Sequence, residues 1–401
     1  MTNQITTLDM GKKFKKTPAG EIPVEWDATN IDSIGELGRG RVINQKEINE
    51  HPGPYPVYSS QSKKQGVMGY IDTFDFEGEY VTWTTDGAYA GTVFFRSGRF
   101  NCTNVCGTIK ANGNHPICAE FLAYILSMYT KRHVSYVGNP KLMNNVMGKI
   151  FFPYPPLREQ KKIAEILTAV DESIEKTRAV IEKTKELKKA LMQTLLTRGI
   201  GHKKFKKTPI GEIPVEWEIV RLGNMAEQSD ERFMPSILDQ RPYIGLEHIG
   251  SGDGRILAIG NSKSISSLKT IFYKGDILFG KLRPNLKKVA MAPFDGVCST
   301  DIMVIRPREN LIPAFLYYLL QSDNAFGFAI GTSGGTKMPR TSWPLFRNYE
   351  FPCPSLSEQK KIAEILTAVD EKIEKEENAR KTMDGLKKGL MQALLTGKVR
   401  V

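Results

Sequence analysis

Three stretches of the chain carry side chains of the kind that bind metals, phosphates or cofactors, and each falls short of the pattern its chemistry needs. Cys102-x3-Cys106 with His115 and Cys118 offers thiols and an imidazole. The spacing departs from the common zinc modules, and Cys102 and Cys106 fall in a strand-like stretch, so they read as buried thiols. GTSGGTKM (331–338) imitates a phosphate-cradling loop, but Thr336 precedes Lys337 and Met338 follows it, so the pattern fails on both sides of the lysine. Gly35, Gly38 and Gly40 in IGELGRGR resemble a nucleotide loop without the acidic residue of a βαβ unit and read as turn glycines. Asn139-Pro140-Lys141-Leu142 shares only two letters with the Asn/Asp-Pro-Pro-aromatic motif of amino-methylating enzymes. Five histidines form no repeated His/Asp/Ser arrangement. No catalytic residue and no metal site is assigned.

What remains is a set of polar and basic loops. Lysine and arginine neutralise phosphates, which gives affinity without sequence information. Arg, Lys, Asn, Gln, Ser and Thr also read base edges in the major groove. In the first half the candidates are Arg39, Arg41, Ser60, Gln61, Lys63, Lys64, Thr85, Asn104, Lys141 and Asn144. In the second they are Lys281, Arg283, Asn285, Lys287, Thr300, Lys337, Arg340 and Thr341. The expected partner is double-stranded DNA.

The composition supports that partner and removes others. Lys+Arg is 56 against Asp+Glu 44, a formal charge of +12. Residues 1–200 hold 26 basic and 21 acidic residues, and 201–401 hold 30 and 23. An excess shared by both halves points to two surfaces facing one polyanion. No apolar run approaches the ~18 residues of a membrane helix, and the first residues lack the apolar stretch of a secretion signal. Five cysteines have no disulfide-rich spacing. The expectation is a cytoplasmic protein with no membrane contact.

The elements that position these loops are duplicated. KKFKKTPAGEIPVEW (12–26) returns as KKFKKTPIGEIPVEW (203–217), with one difference in fifteen. EQKKIAEILTAVDE (159–172) recurs unchanged at 358–371, and LKKALMQTLLT (187–197) returns as LKKGLMQALLT (386–396). Between the last two segments the offset stays at 199, yet SIEKTRAVIEKTKE and KIEKEENARKTMDG share only three residues in fourteen. Sequence drifted there while length did not, as expected of a spacer. Prolines just outside its start, glutamates in its first turn and Gly199 and Gly397 after its last turn predict a helix. One narrow apolar seam is expected along Ile163, Leu167, Val170, Ile174, Ile181, Leu187, Leu191 and Leu195. In the second copy it runs along Ile362, Leu366, Val369, Ile373, Met383, Leu386, Leu390 and Leu394. About 40 residues rise ~60 Å, and two such rods of equal length most simply pack on each other.

Between the repeats stand two variable blocks, the second eight residues longer. Strand-like YVTW and TVFF in one match DILF and DIMVI in the other. Cys102-Thr103-Asn104 parallels Cys298-Ser299-Thr300, and FLAYIL parallels FLYYLL. The predicted organisation is a repeated segment (1–26), a first domain (27–157), a central helix (158–198), a repeated linker (199–217), a second domain (218–356) and a distal helix (357–401).

The duplicated EQKKIAEIL helices, the GEIPxxW segments and the paired variable blocks resemble the specificity subunit of type I restriction–modification systems. YPVYSSQ (55–61) with TTDGAYAGTVFFR (84–96) looks like one target-recognition domain. GDILFGKLRP (275–284), CSTDI (298–302) and GTKMPRTSW (335–343) look like the other. The resemblance covers about Lys12 to Leu395. It implies an α+β fold of two globular target-recognition domains separated by two long antiparallel helices, with a pseudo-two-fold internal repeat and a chain end that leads back into its beginning. It implies that each domain reads one half of a split DNA site. The helices would set the separation of the halves and dock two methyltransferase subunits, which support restriction/translocase subunits. AdoMet, ATP and Mg2+ would belong to those partners and no cofactor to this chain. Specificity for a methylation-only or type IIB-like complex, or a coiled-coil adaptor without DNA specificity, are the alternatives.

Overall fold

The computed structural model describes residues 13–60, 63–113, 115–236, 240–264 and 267–401. It divides into two compact units, Met1–Thr177 with Ala379–Val401, and Arg178–Asn378. Both long helices therefore pass from one unit into the other, and each unit holds the first half of one helix and the last half of the other.

Each unit contains one copy of the repeated segment, folded as a β-hairpin: Phe14–Thr17 with Gly20–Pro23, and Phe205–Thr208 with Gly211–Pro214. The glycine is required, since Gly20 and Gly211 hold φ of +105° and +114°. Thr17 and Thr208 donate their hydroxyls to those glycine carbonyls. The hairpin delivers Trp26, and in the second unit Trp217, into the core.

The variable blocks have matching sheets. In the first unit the order is Gly35–Arg39, Cys106–Ala111, Tyr80–Thr84, Val93–Arg96, all antiparallel. In the second it is Ala226–Gln228, Ile302–Pro307, Ile277–Gly280, Val289–Met291. The inner strands Tyr80–Thr84 and Ile277–Gly280 are rich in β-branched, aromatic and other large apolar residues and bury both faces. A second sheet in each unit contains one parallel pair, Arg99–Cys102 on Pro52–Tyr58 and Gly296–Cys298 on Pro242–Ile244. A helix packs on each core, Ala119–Tyr129 through Phe121, Leu122, Ile125 and Leu126, and Pro313–Gln321 through Phe315, Leu316, Leu319 and Leu320.

Gly35, Gly38 and Gly40 are not turn glycines. They lie in and just after an edge strand, and a Cβ on Gly38 would come 2.6 Å from Thr108 Oγ1 and one on Gly40 2.1 Å from the Cys102 carbonyl. They permit close approach of neighbouring strands. Cys102 and Cys106 are buried, and among the described residues no group of three or more His, Cys, Asp or Glu is placed to hold a metal ion.

The central helix spans Leu157–Arg198 and the distal helix Leu356–Leu394. The distal helix does not run to residue 401: Gly397 takes φ of +70° and the tail turns back. Each helix begins with a Glu-Gln pair; Glu159, Gln160 and Gln359 are buried and Glu358 is largely shielded from solvent. Glu159 accepts from Trp26 Nε1 (2.9 Å) and from the Arg400 guanidinium (2.6 Å), and Glu358 accepts from Trp217 Nε1 (3.0 Å) and faces His202 Nε2 (2.9 Å). Gln160 accepts from the Cys118 amide, at the start of the core helix, and donates to the Pro155 carbonyl. Gln359 repeats this with the Ile312 amide and the Pro354 carbonyl.

Within each unit the two helix halves run antiparallel. Lys387 pairs with Asp171 and Arg400 with Glu159 in the first; Lys188 pairs with Asp370 and Lys185 with Glu377 in the second. The seam departs from the predicted one near its middle. Leu187 and Leu386 are about half exposed, and Lys188 and Lys387 take the inward positions instead. Each lysine holds its ammonium over a core-helix tyrosine ring and pairs it with an aspartate, so the charge is satisfied where a leucine would be only apolar. The same tyrosines, Tyr124 and Tyr318, donate to Asp171 (2.8 Å) and Asp370 (2.9 Å).

Removing the Gln160 side chain strands a backbone amide and a carbonyl at ~1–3 kcal/mol each. Gln160→Ala is therefore expected to lower stability by about 2–4 kcal/mol in urea titrations. Lys161→Ala, on the exposed face of the same turn, should change it by less than ~0.5 kcal/mol.

Candidate nucleic-acid interface

The sequence-selected loops of each unit are carried on one backbone frame, built twice. In the first unit Ser135 and Lys141 exchange both backbone hydrogen bonds (2.9 Å each), closing a hairpin tip over residues 136–140. Pro140 accepts from the Gly87 amide (2.9 Å) and Thr85 from the Leu142 amide (2.8 Å), which ties the tip to the end of the Tyr80–Thr84 strand. In the second unit Gly334 and Arg340 exchange the same pair (3.0 Å each), Pro339 accepts from Arg283 and Lys281 from Thr341. Lys141 and Arg340 are thus the same structural position. The turn after each buried cysteine is also shared: the Thr103 amide donates to Tyr58 and the Ser299 amide to Ile244, which leaves Asn104 and Thr300 equivalent and exposed.

The charges on that frame differ. In the first unit Asp86 lies between Arg39 (3.8 Å) and Lys141 (4.0 Å) and accepts from the Thr85 hydroxyl (2.6 Å). Asn144 donates to the Gly38 carbonyl and Arg39 to the Met143 sulfur. This gathers Arg39, Thr85, Lys141 and Asn144 around one carboxylate, with Arg39 and Lys141 still exposed to solvent. In the second unit Asp301 holds Arg340 at 3.1 Å. Strand register places Gln228 opposite Ile305 as Leu37 lies opposite Ile109, so the place of Arg39 falls to Asp230. One frame carries two electrostatic surfaces.

Several candidates do other work. Arg41 binds Glu47 (2.6 Å) and Asp75 (3.1 Å); its pKa is raised, chiefly by the hydrogen bond to Glu47, so its charge stabilises its own domain. Thr85 and Thr341 are buried and spend their hydroxyls on Asp86 and on Thr332. Lys287, in the left-handed region at φ +50°, pairs with Asp323 and lines a cleft of about 1630 Å³ against the helix halves of its own unit, with Lys188, Tyr317, Phe328 and Tyr349. Ser60 lines a smaller cleft of about 570 Å³ with Gln45, Asp86 and Tyr89. Lys63 and Lys64 lie in a short 3-10 turn, and Gln61 lies outside the described residues. Arg283 (φ +50°) and Asn285 stand exposed on the turn over Pro284–Leu286, and Lys337 is exposed at the second tip.

Sequence reasoning missed three kinds of residue. Asp86 and Asp301 aim the cations. Arg96 is buried between the Tyr58 ring (3.5 Å) and the Phe94 ring (4.4 Å), its pKa lowered by that burial, and it donates to the Gln65 carbonyl in the turn over Lys63–Gly66. Tyr124 and Tyr318 were visible only as matching aromatics in FLAYIL and FLYYLL.

A duplicated α+β unit with its variable, charged loops on a constant frame belongs to the class of modular recognition proteins. The chain belongs to the family of the type I restriction modification DNA specificity domain, whose model matches residues 23–185 and again 214–382. It is similar to the type I restriction enzyme MjaVIII specificity subunit of Methanocaldococcus jannaschii, at 28% identity over 418 aligned positions that cover 97% of this chain and 96% of that one. It is 40% identical over 161 residues to the type I restriction enzyme MpnII specificity subunit of Mycoplasma pneumoniae, a stretch covering 40% of this chain and 48% of that one. The fold matches the crystal structure of the type I restriction–modification S subunit from M. genitalium, with a TM-score of 0.63 at 16% identity, over 92% of this chain and 96% of that one. Among the described residues no helix is long and apolar enough to cross a membrane.

If Lys141 meets a phosphate and Arg41 does not, the two separate in a salt titration. Lys141→Gln should make the slope of log K against log salt shallower by about 0.9. Arg41→Gln should leave the slope unchanged and lower stability by ~0.5–1 kcal/mol, read from the urea midpoint.

Proposed function

We propose that this chain is the non-catalytic, sequence-reading subunit of a type I restriction–modification complex. The observation that carries the proposal is the pair of identically hydrogen-bonded loop frames with different side chains. A protein that read one sequence twice would keep both surfaces alike; a protein that reads two different half-sites needs one scaffold and two chemistries. Residues 27–157 read one half of a bipartite duplex and 218–356 the other. Lysines and arginines on the rims contact phosphates, and exposed residues such as Asn104, Thr300, Arg283, Asn285 and Lys337 are available to base edges.

The helices act as the ruler. The central helix has 42 residues, about 63 Å. Both domains meet one face of the duplex when the half-sites are about one turn, 34–36 Å, apart. The intervening bases go unread. The solvent-facing residues of the identical helix segments dock two methyltransferase subunits, and restriction/translocase subunits join through these. AdoMet, ATP and Mg2+ are held by the partners.

Inserting four residues into both helices, within 173–186 and 372–385, lengthens each by about 6 Å. The methylated motif should keep both half-sites and gain roughly two base pairs of spacer. Altered half-sites with an unchanged spacer would contradict the ruler. Exchanging residues 27–150 for the matching block of another family member should change one half-site only; a change in both would defeat the modular reading. Methylome sequencing of cells carrying the variant chain with its methyltransferase reads out both.

A further inference from the structure

The tips of the two loop hairpins are the same length and stand on the same stem, and they differ most in what they present to solvent. The first, residues 136–140, reads Tyr-Val-Gly-Asn-Pro; the second, 335–339, reads Gly-Thr-Lys-Met-Pro. Val137 is 91% exposed and Tyr136 69%. Their stem is rigid: besides the Ser135–Lys141 and Gly87–Pro140 bonds, Leu142 is fully buried and its carbonyl accepts from Trp83 Nε1 (2.9 Å). An apolar pair is thus held out into water by an anchored hairpin whose stem carries Lys141, with Arg39 of the neighbouring strand Gly35–Arg39 beside it, both aimed by Asp86.

We infer that the first hairpin tip is a base-reading element, and that Tyr136 and Val137 read a thymine through its 5-methyl group in the major groove. This rests on the DNA-reading function proposed above. Phosphates offer nothing to valine. The apolar group that an intact duplex shows to the outside is the thymine methyl, on the floor of a groove about 12 Å wide that admits a two-stranded ribbon. Cations flanking an apolar tip suit that site, since Arg39 and Lys141 meet the phosphates at the groove edges while the tip reaches inward. The second tip, with Lys337 and Met338 in place of glycine and asparagine, presents a donor and reads a different base edge.

The test uses the full chain assembled with its methyltransferase subunits. The probe is a duplex carrying the motif methylated in cells, with each thymine of the half-site governed by residues 27–157 replaced in turn by uracil, which lacks only the methyl. Burial of one methyl group corresponds to about a four-fold loss of affinity at the contacted position. Tyr136→Ser and Val137→Ser should lower this thymine-to-uracil ratio towards one at that position and leave the other half-site untouched. Their exposure predicts an unchanged melting temperature. Replacing residues 136–139 by Gly-Thr-Lys-Met should abolish the methyl dependence and change the preferred base at that position alone. A thymine-to-uracil ratio that is unaltered in both serine variants overturns the inference while the DNA-reading function stands. So does a wild-type complex indifferent to every uracil substitution, or variants that lose methyltransferase association instead. An unaltered complex with no sequence preference overturns the parent function, and this inference with it.

Discussion

Each long helix starts with a glutamate and a glutamine withdrawn from solvent, and most of each unit is arranged around that turn. Glu159 and Glu358 gather the tryptophan of the repeated hairpin and a side chain from the segment that follows the other helix: Arg400 in one unit, His202 in the other. Gln160 and Gln359 fix the start of the helix against the core helix of the variable block. Burying a carboxylate is tolerable only when it is paired and hydrogen-bonded, and here three parts of the chain must be in place before it is. The hairpin, the helix start and the returning helix end are therefore coupled through one carboxylate. Lys188 and Lys387, each beside a tyrosine and an aspartate, make a second such contact about three turns further along the facing helix.

This constraint accounts for where the sequence held still and where it drifted. Within EQKKIAEILTAVDE, Glu159, Gln160, Ile163, Ala164, Leu167, Thr168 and Asp171, and their counterparts in the second copy, are occupied with contacts inside their own unit. Fixing the base of the variable block at both helices frees its far loops from structural duty. The loop frame keeps its backbone hydrogen bonds because they use no side chains, so one unit can carry Lys141, Arg39 and Asn104 where the other carries Arg340, Asp230 and Thr300 without cost to the fold. Two surfaces of different chemistry on one scaffold follow from that division of labour.

The duplicated architecture was legible because identity at a fixed offset survives any ignorance of structure. The long helices were legible from their end signals, and the strands YVTWT, VFFR, ILFG and IMVIRP from their β-branched and aromatic content. Partnership between side chains was not legible. The spacing put Leu187 and Leu386 in the seam, and only the aspartates and tyrosines brought from elsewhere in the unit show why Lys188 and Lys387 turn inward instead. Arg41 and Lys287 looked like free cations until Glu47, Asp75 and Asp323 were found beside them. Glycines 35, 38 and 40 were misassigned because close strand approach and turn geometry select the same residue. Charge type is a property of sequence; charge availability is a property of packing.

The central claim, that one chain reads two unlike half-sites at a set distance, is tested most directly by sequencing the methylome of the native host with and without this gene. The account predicts the loss of a single motif made of two different short sequences separated by an unread gap that places them about one duplex turn apart. Loss of a continuous or palindromic motif, or of none, would contradict it.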